Sequence, residues 1–312
     1  MTTLRWVVLA GPTASGKSAL SLEVAERFGG EIVNADSRQI YRFMDIGTAK
    51  PKAEERRRAP HHLFDVAMPD ERFDAARYRD LARPTVRAIA ARGRLPIVVG
   101  GTGFYIRALT SGLFAAPSAF VRLRRSLERL EERVPGTLHR WCCRLDRAVT
   151  ERIHPNDRMR LIRALEVMLT TGERMSEQQA RHGFADRLGT VLYLVVDPGV
   201  EELKGRIRRR SADLFERGLV EEVRHLWGRG YGPELPALRS IGYLEAGRVL
   251  SGDRSVAEAI EDVVRATERF AKRQRTWFRA EADAVWIHPD EGRAHLLEGI
   301  ERFLEEPSKA PL

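Results

Sequence analysis

Eight residues near the N-terminus constrain this chain more than any other feature. Gly11-Pro12-Thr13-Ala14-Ser15-Gly16-Lys17-Ser18 fits the pattern G-x-x-x-x-G-K-[ST]. It follows an apolar run, Leu4 to Ala10, with the pattern of a buried strand. It precedes a segment, Ala19 to Phe28, with Leu20, Val24, Ala25 and Phe28 at helical spacing and Gly29-Gly30 as its stop. The glycines let backbone N–H groups turn toward a phosphate, and the helix N-terminus adds positive potential. Lys17 neutralises phosphate charge, and the Ser18 hydroxyl is placed to ligate Mg²⁺. A strand–loop–helix unit binding a di- or triphosphate is therefore expected, with residues 11–18 as the cradle.

Further strands are predicted at Ile32-Val33, Ile97 to Val99 and Val191 to Val196, alternating with helices. That alternation implies an α/β fold: a P-loop NTPase-like parallel sheet core with helices on both faces. Phe114 to Arg187 contains no strand pattern, while Val121 to Arg133 and Arg158 to Thr170 read as amphipathic helices. Residues 1–113 and 188–312 are thus assigned to the core, and 114–187 to a helical insertion domain. From Val200 onward the pattern is helical again, and Glu305 to Leu312 is a polar tail. Pro84 lies inside the helical stretch Ala75 to Ala91, so that helix is expected to break or start there.

Composition narrows the partners. The chain has 312 residues, a formal net charge of +9 and only six lysines among its 53 basic residues. Arginine bias could produce the total, but not its segregation. Arg265, Arg269, Lys272, Arg273, Arg275 and Arg279 face a single Glu268 within an otherwise acidic C-terminal third, and the insertion is itself basic. Phe270 and Trp277, seven apart, would pack this helix on the core and turn its arginines outward. Lys272, Arg273, Gln274, Arg275 and Arg279 are candidates for an RNA-binding strip. No apolar run approaches the ~20 residues of a membrane helix, and the N-terminus lacks the pattern of a signal peptide. Adjacent Cys142 and Cys143 have neither disulfide nor zinc spacing, so reduced thiols in a cytoplasmic protein are expected.

In an open α/β sheet, ligands sit beyond the C-terminal strand ends. The second strand ends in Asn34-Ala35-Asp36-Ser37-Arg38-Gln39, and Asp36 there is a candidate general base, metal ligand or turn residue. The third ends in Gly100-Gly101-Thr102-Gly103, which brings backbone donors and the Thr102 hydroxyl to the same edge, or forms only a tight turn. An ATPase would offer a second Asp for Mg²⁺ at a strand end. The third strand offers none, and Asp197 after the fourth is either that ligand or a helix cap.

Nine motifs in order make the chain similar to the tRNA dimethylallyltransferases. They are Gly-Pro-Thr-Ala-Ser-Gly-Lys-Ser (11–18), Ala-Asp-Ser-Arg-Gln-Ile-Tyr (35–41), Met-Asp-Ile-Gly-Thr-Ala-Lys-Pro (44–51), His-His-Leu-Phe-Asp (61–65) and Val-Gly-Gly-Thr-Gly-Phe-Tyr (99–105). Ile-His-Pro-Asn-Asp (153–157), Arg-Leu-Ile-Arg-Ala-Leu-Glu-Val (160–167), Ile-Gly-Tyr (241–243) and Ala-Lys-Arg-Gln-Arg-Thr-Trp-Phe-Arg (271–279) complete the set. The resemblance implies transfer of a dimethylallyl group from dimethylallyl diphosphate to the exocyclic N6 amine of the adenine immediately 3′ of the tRNA anticodon. It implies a monomer acting on the anticodon stem-loop.

On this resemblance Lys17, Ser18 with Mg²⁺, Thr102 and Arg210 hold the diphosphate, Arg210 being matched by its offset from Gly218-Leu219. Asp36 is the base that takes the amine proton from a flipped adenine. Ser37, Arg38 and Gln39, together with Arg160, Leu161, Ile162 and Arg163, Arg239 and Tyr243, and Arg122, are tRNA contacts by resemblance. Arg122 follows a linker, Ala115 to Val121, shorter than the family pattern. His61 and His62 are read as structural. Two other functions fit a P-loop: a small-metabolite kinase, and an RNA-binding, ATP-sensing protein that needs no base at Asp36.

Overall fold

The structure, a computed structural model, describes residues 4–114, 120–183 and 185–305. Residues 115–119 of the Ala115 to Val121 linker and the tail after Glu305 lie outside them. The chain divides into two compact units, Met1–Thr110 with Leu188–Leu312, and Ser111–Arg187.

The first unit is built on β1 (Arg5–Ala10), α1 (Lys17–Phe28), β2 (Gly30–Asn34), α2 (Ala53–Arg58), β3 (His61–His62), α3 (Ala75–Ala91), β4 (Leu95–Gly100) and α4 (Gly103–Ser111). After the insertion come β5 (Thr190–Val196), α10 (Val200–Glu216), α11 (Leu219–Gly228), α12 (Tyr243–Leu250), α13 (Val256–Arg279), β6 (Val285–Ile287) and α14 (Arg293–Glu305). The insertion supplies α5 (Val121–Arg133), α6 (Thr137–Leu145), α7 (Arg147–Thr150), α8 (Arg158–Thr171) and α9 (Met175–His182).

All six strands form one parallel sheet in the order β3-β2-β4-β1-β5-β6. Central β1 is buried on both faces from Trp6 to Ala10, as an apolar run covered by helices must be. Val7 and Leu9 meet Leu20 and Val24 of α1 and Leu296 and Ile300 of α14. Each such residue contributes about 1.5–3 kcal/mol of burial. Because β1 has neighbours on both sides, the crevice at its C-terminal end is where the phosphate loop, the ends of β2 and β4, and Asp197 after β5 collect.

Two sequence expectations need correction. Helix α3 runs unbroken through Pro84, and both Pro84 and Asp80, whose carbonyl loses its partner there, are exposed residues, where a missing helix bond costs least. Asp74 starts that helix by accepting the Ala76 and Arg77 N–H groups. Strand β6 falls in a stretch read as helical, and pairs Val285 to Ile287 with Leu194 to Val196. His61-His62 forms edge strand β3 on Ile32-Val33, with His62 Nε2 2.7 Å from Glu31 Oε2.

The second unit packs α5 to α9 around Leu127, Leu138, Cys142, Leu161, Leu165 and Val167. At its centre the fully buried Glu166 accepts from Arg124 (2.9 and 2.7 Å), Arg163 (2.6 Å) and the Phe120 N–H (2.7 Å). Burial alone would raise its pKa, but these donors outweigh it and hold the carboxyl at about 2, against 4.5 for a free one. The stabilisation is fully present above pH 4.5 and is lost as the pH falls through 2. Its size is about 3 kcal/mol. Glu166→Gln should therefore be less stable than the parent at pH 7 by that order, with the gap narrowing toward pH 3 in urea titrations. A gap independent of pH would remove Glu166 as its source.

Candidate active site

The phosphate loop owes its shape to three residues with positive φ. Gly11 has φ 150°, Ala14 φ 64° and Gly16 φ 93°; a side chain at Gly11 would meet the Val196 carbonyl, and one at Gly16 the Arg206 guanidinium. The turn is closed by the Ser15 N–H on Pro12 O at 3.3 Å. Helix α1 then begins at Lys17, two residues before the sequence pattern, and the first N–H groups of a helix have no intrahelical acceptor. Lys17 Nζ bonds back to Pro12 O at 3.0 Å.

The ends of β2 and β4 are clasped together beside this loop. The Ala35 N–H donates to Val99 O at 2.8 Å and the Thr102 N–H to Ala35 O at 3.2 Å. Thr102 Oγ1 accepts the Ser37 N–H at 2.9 Å, which leaves its own O–H to donate to a ligand. Asn34, buried, fixes the next residue: its Oδ1 accepts the Asp36 N–H at 3.0 Å, and its Nδ2 donates to Asp36 O at 3.3 Å and Leu63 O at 3.1 Å. Asp36 Oδ1 accepts the Arg38 N–H at 2.8 Å. Asp36 is thus a turn residue whose second oxygen is left for chemistry. Asn34 was not singled out in the sequence; an Asn two residues before the strand-end acid was the available signal.

Three groups far apart in sequence share one electrostatic environment. Lys17 feels the charges of both Asp36 and Arg210, and Arg210 feels Asp36. Burial lowers the Lys17 pKa to about 8, with Arg210 pushing the same way and Asp36 opposing. Burial also lowers that of Arg210, again against Asp36. Two desolvated cations against one carboxylate make a positive crevice suited to a polyanion.

Helical spacing on α10 sorts the arginine cluster. Arg206 and Arg210, four apart, flank buried Ile207, whereas Arg208 pairs with Glu261 at 2.7 Å and Arg209 is exposed. Arg206 braces the loop from outside: it donates to Ser15 O at 3.2 Å, Glu202 at 2.8 Å and Asp290 at 2.9 Å. Arg210 is the member that reaches the electrostatic field of Lys17 and Asp36.

Helix α13 departs from its sequence reading. Phe270 is exposed with Arg273 over its ring, so the inward stripe is Val264, Ala271, Gln274 and Phe278. Gln274 is buried and clamps two active-site segments: Oε1 accepts the Thr13 N–H at 2.9 Å and Nε2 donates to Gly101 O at 2.8 Å. Its amide thus makes two contacts inside the protein, which fix it against the core. Arg275 donates to Asp197 Oδ2 at 2.7 Å, and Asp197 Oδ1 accepts the Gly199 N–H at 3.1 Å. Asp197 is therefore an ion-pair and turn residue rather than a helix cap: the N-cap of α10 is Gly199, with no side-chain cap bond. Trp277 lies against Gly103, edge-on to Phe104, with the Arg107 guanidinium 4.4 Å from its ring centroid.

The remaining residues proposed for tRNA separate by exposure. Arg38, Arg122, Arg160, Arg239, Lys272, Arg273 and Arg279 are exposed. Gln39 is half-buried, with Nε2 on Thr48 O at 3.0 Å and Ala49 O at 3.1 Å. Leu161 and Ile162 are buried in the insertion core, and Arg163 is paired there with Glu166. Tyr243 is buried with its O–H on Glu222 at 2.5 Å. Leu161, Ile162 and Tyr243 are thus engaged in packing inside the protein, whereas Arg163, its side chain 31% exposed, and Gln39, whose amide oxygen accepts none of these bonds, keep polar atoms beyond those contacts.

Comparison with known proteins gives one answer. The model of the family described as IPP transferase matches residues 39–281. The chain is 48% identical over 287 residues to a tRNA dimethylallyltransferase of Geobacter metallireducens, covering 91% of this chain and 92% of the relative. It is 49% identical over 289 residues to that of Koribacter versatilis, covering 90% and 91%. Among solved structures, the full-length tRNA isopentenylpyrophosphate transferase of Bacillus halodurans aligns with TM-score 0.71 and 35% identity over 97% of both chains. A eukaryotic dimethylallyltransferase acting on tRNA aligns with TM-score 0.80 and 26% identity, over 98% of this chain and 81% of that one. With a family model matching most of its length and relatives near half identical end to end, the chain belongs to the IPP transferase family, that of the tRNA dimethylallyltransferases.

Proposed function

We propose that this enzyme transfers a dimethylallyl group from dimethylallyl diphosphate to the N6 amine of the adenine immediately 3′ of the anticodon in tRNA. The observation that carries this reading is the convergence of Lys17, Arg210 and Asp36 at one crevice. It sets two cations for a departing diphosphate beside a carboxylate for an incoming amine. The relatives favour neither a small-metabolite kinase nor an ATP-sensing RNA-binding protein.

The allylic C–O bond breaks with its electron pair going to the diphosphate, whose growing charge meets Lys17, Arg210, the loop N–H groups and the Thr102 hydroxyl. The N6 lone pair forms the new C–N bond, and Asp36 takes the N6 proton as that bond forms. Adenine's amine is a poor nucleophile and is hidden in a stacked loop, so the base is flipped toward Asp36. Exposed Arg269, Lys272, Arg273 and Arg279 on α13 supply phosphate contacts, as does the basic insertion.

Mg²⁺ fits this loop as an ion held largely by substrate. The Ser18 hydroxyl is exposed at the start of α1, and among the described residues no three His, Cys, Asp or Glu side chains converge. Mg²⁺ commonly takes one or two protein ligands plus phosphate oxygens and water, so Ser18 is the residue that would hold it. When bound, the ion supplies positive charge against the leaving diphosphate.

Among the described residues no helix is long and apolar enough to cross a membrane. The proposed tRNA substrate is the ground on which we assign the enzyme to the cytoplasm.

Incubation with radiolabelled dimethylallyl diphosphate and unmodified tRNA, followed by digestion, should give label in N6-(dimethylallyl)adenosine. RNA free of label, with ATP consumed instead, would sink the proposal in favour of a kinase.

A further inference from the structure

Left-handed backbone at residues other than glycine is concentrated away from the phosphate loop, in a stretch the chemistry has not used. Phe43 (φ 66°), Ala49 (φ 49°), Leu63 (φ 63°) and Asp65 (φ 57°) all adopt it. Side chains disfavour this conformation, and it persists only where surrounding contacts fix it.

The contacts that fix it are unusually complete. Glu222 Oε2 accepts the Asp45 and Ile46 N–H groups at 3.0 and 2.7 Å, and Oε1 accepts the Gly47 N–H at 3.2 Å and the Tyr243 hydroxyl at 2.5 Å. On the inner side stands Lys50, only 6% exposed. Its Nζ donates to Asp45 Oδ1 at 2.7 Å, Asp65 Oδ1 at 2.6 Å and Tyr41 O at 2.5 Å. An ammonium has three donors, and all three are used. Arg56 holds the other Asp65 oxygen at 3.3 Å.

The Tyr41 contact leads to the active site. Tyr41, held by Lys50 at its carbonyl, donates its N–H to Arg38 O at 3.3 Å, and the Arg38 N–H donates to Asp36 Oδ1 at 2.8 Å. The second bracket of the same turn is Asn34, whose amide joins Asp36 O to Leu63 O, two residues before Asp65. We propose that Lys50 is a positioning residue for Asp36: it ties the 41–50 and 63–65 segments together and, through Tyr41 and Arg38, sets the direction of the Asp36 carboxylate. This inference rests on the reading of Asp36 as the base.

The test uses the full chain with Lys50→Met, which keeps length and apolar bulk and removes the three donors. Turnover with tRNA and dimethylallyl diphosphate, assayed well below the unfolding midpoint, should fall roughly tenfold or more, the scale of a misdirected reacting group. KM for both substrates should stay within about twofold, and hydrogen exchange of the Arg38 amide should quicken. A purely structural lysine would lower the unfolding midpoint without moving kcat of the folded enzyme or that amide. Should Lys50→Met not fold, Asp45→Ala, at a more exposed carboxylate, should give the same pattern with a loss of a few-fold. Parent-like kcat and Arg38 exchange in the folded variant, or a loss confined to KM, overturns the inference. Asp36→Asn run in parallel separates the two readings. Full turnover there overturns Asp36 as base, while an inactive Asp36→Asn beside an unimpaired Lys50→Met overturns only the role of Lys50.

Discussion

Asp36→Ala should bind tRNA about as well as the parent and lose roughly 10²-fold or more in turnover, the usual scale for a general base. The loss should lie in kcat because the proposed mechanism gives half-buried Asp36 the amine proton and leaves RNA affinity to exposed arginines elsewhere. Alanine also removes the acceptor of the Arg38 N–H, so it disturbs the turn as well as the chemistry. Asp36→Asn separates the two effects. The amide oxygen can still accept from Arg38, but the side chain no longer takes a proton at neutral pH. Turnover in Asp36→Asn as low as in Asp36→Ala identifies proton transfer as the missing function. Near-parent turnover in the Asn variant would discard the assignment.

Arg210→Gln should cost a similar amount, about 10²–10³ in kcat, the range found when one preorganised donor is removed from a developing anion. Gln keeps some length and polarity and loses the charge. The variant also relieves Lys17 of a like charge, so the Lys17 pKa should rise above about 8. Lys17 then carries its proton more fully yet works alone. Single-turnover rates with labelled donor isolate this step from product release. Arg208→Gln provides the contrast: that side chain is exposed and paired with Glu261, and its removal should leave the rate within about twofold, as is usual for exposed ion pairs. Equal losses at positions 208 and 210 would mean that general charge, not placement, drives catalysis.

The legible parts of this molecule were those where one local rule governs several residues. β1, β4 and β5 are continuous apolar runs ended by Gly11, Gly100 or Asp197, and buried parallel strands demand that pattern. The strand-end residues Asp36 and Thr102 followed from the sheet geometry. What escaped depended on tertiary neighbours. Strands β3 and β6 have two and three residues, too few for any periodicity, and exist because β2 and β5 offer free edges. On α13 a run of basic residues masked the inward stripe, since Gln274 occupies a core position that periodicity assigns to an apolar side chain. Its reason for being there, two backbone groups from Thr13 and Gly101, lies about 261 and 173 residues away in sequence and leaves no local trace. The arginine cluster of α10 was visible as a cluster, but only its helical phase against the loop distinguishes Arg206 from Arg210.

The clamp made by Gln274 has a consequence for how the enzyme responds to temperature and solvent. Thr13 belongs to the phosphate cradle, Gly101 to the turn that carries Thr102, and both hang on one amide near the end of a 24-residue helix. Fraying of α13 from its C-terminal end therefore releases both halves of the donor site together. Loss of diphosphate affinity and loss of helicity in that last stretch should be a single cooperative event, occurring below global unfolding, because a helix terminus is among the first parts of a fold to open. The basic strip proposed to bind RNA, exposed Lys272, Arg273 and Arg279, rides on the same turns. Occupancy by tRNA would suppress that opening, so the acceptor would stabilise the cradle of the donor without touching it.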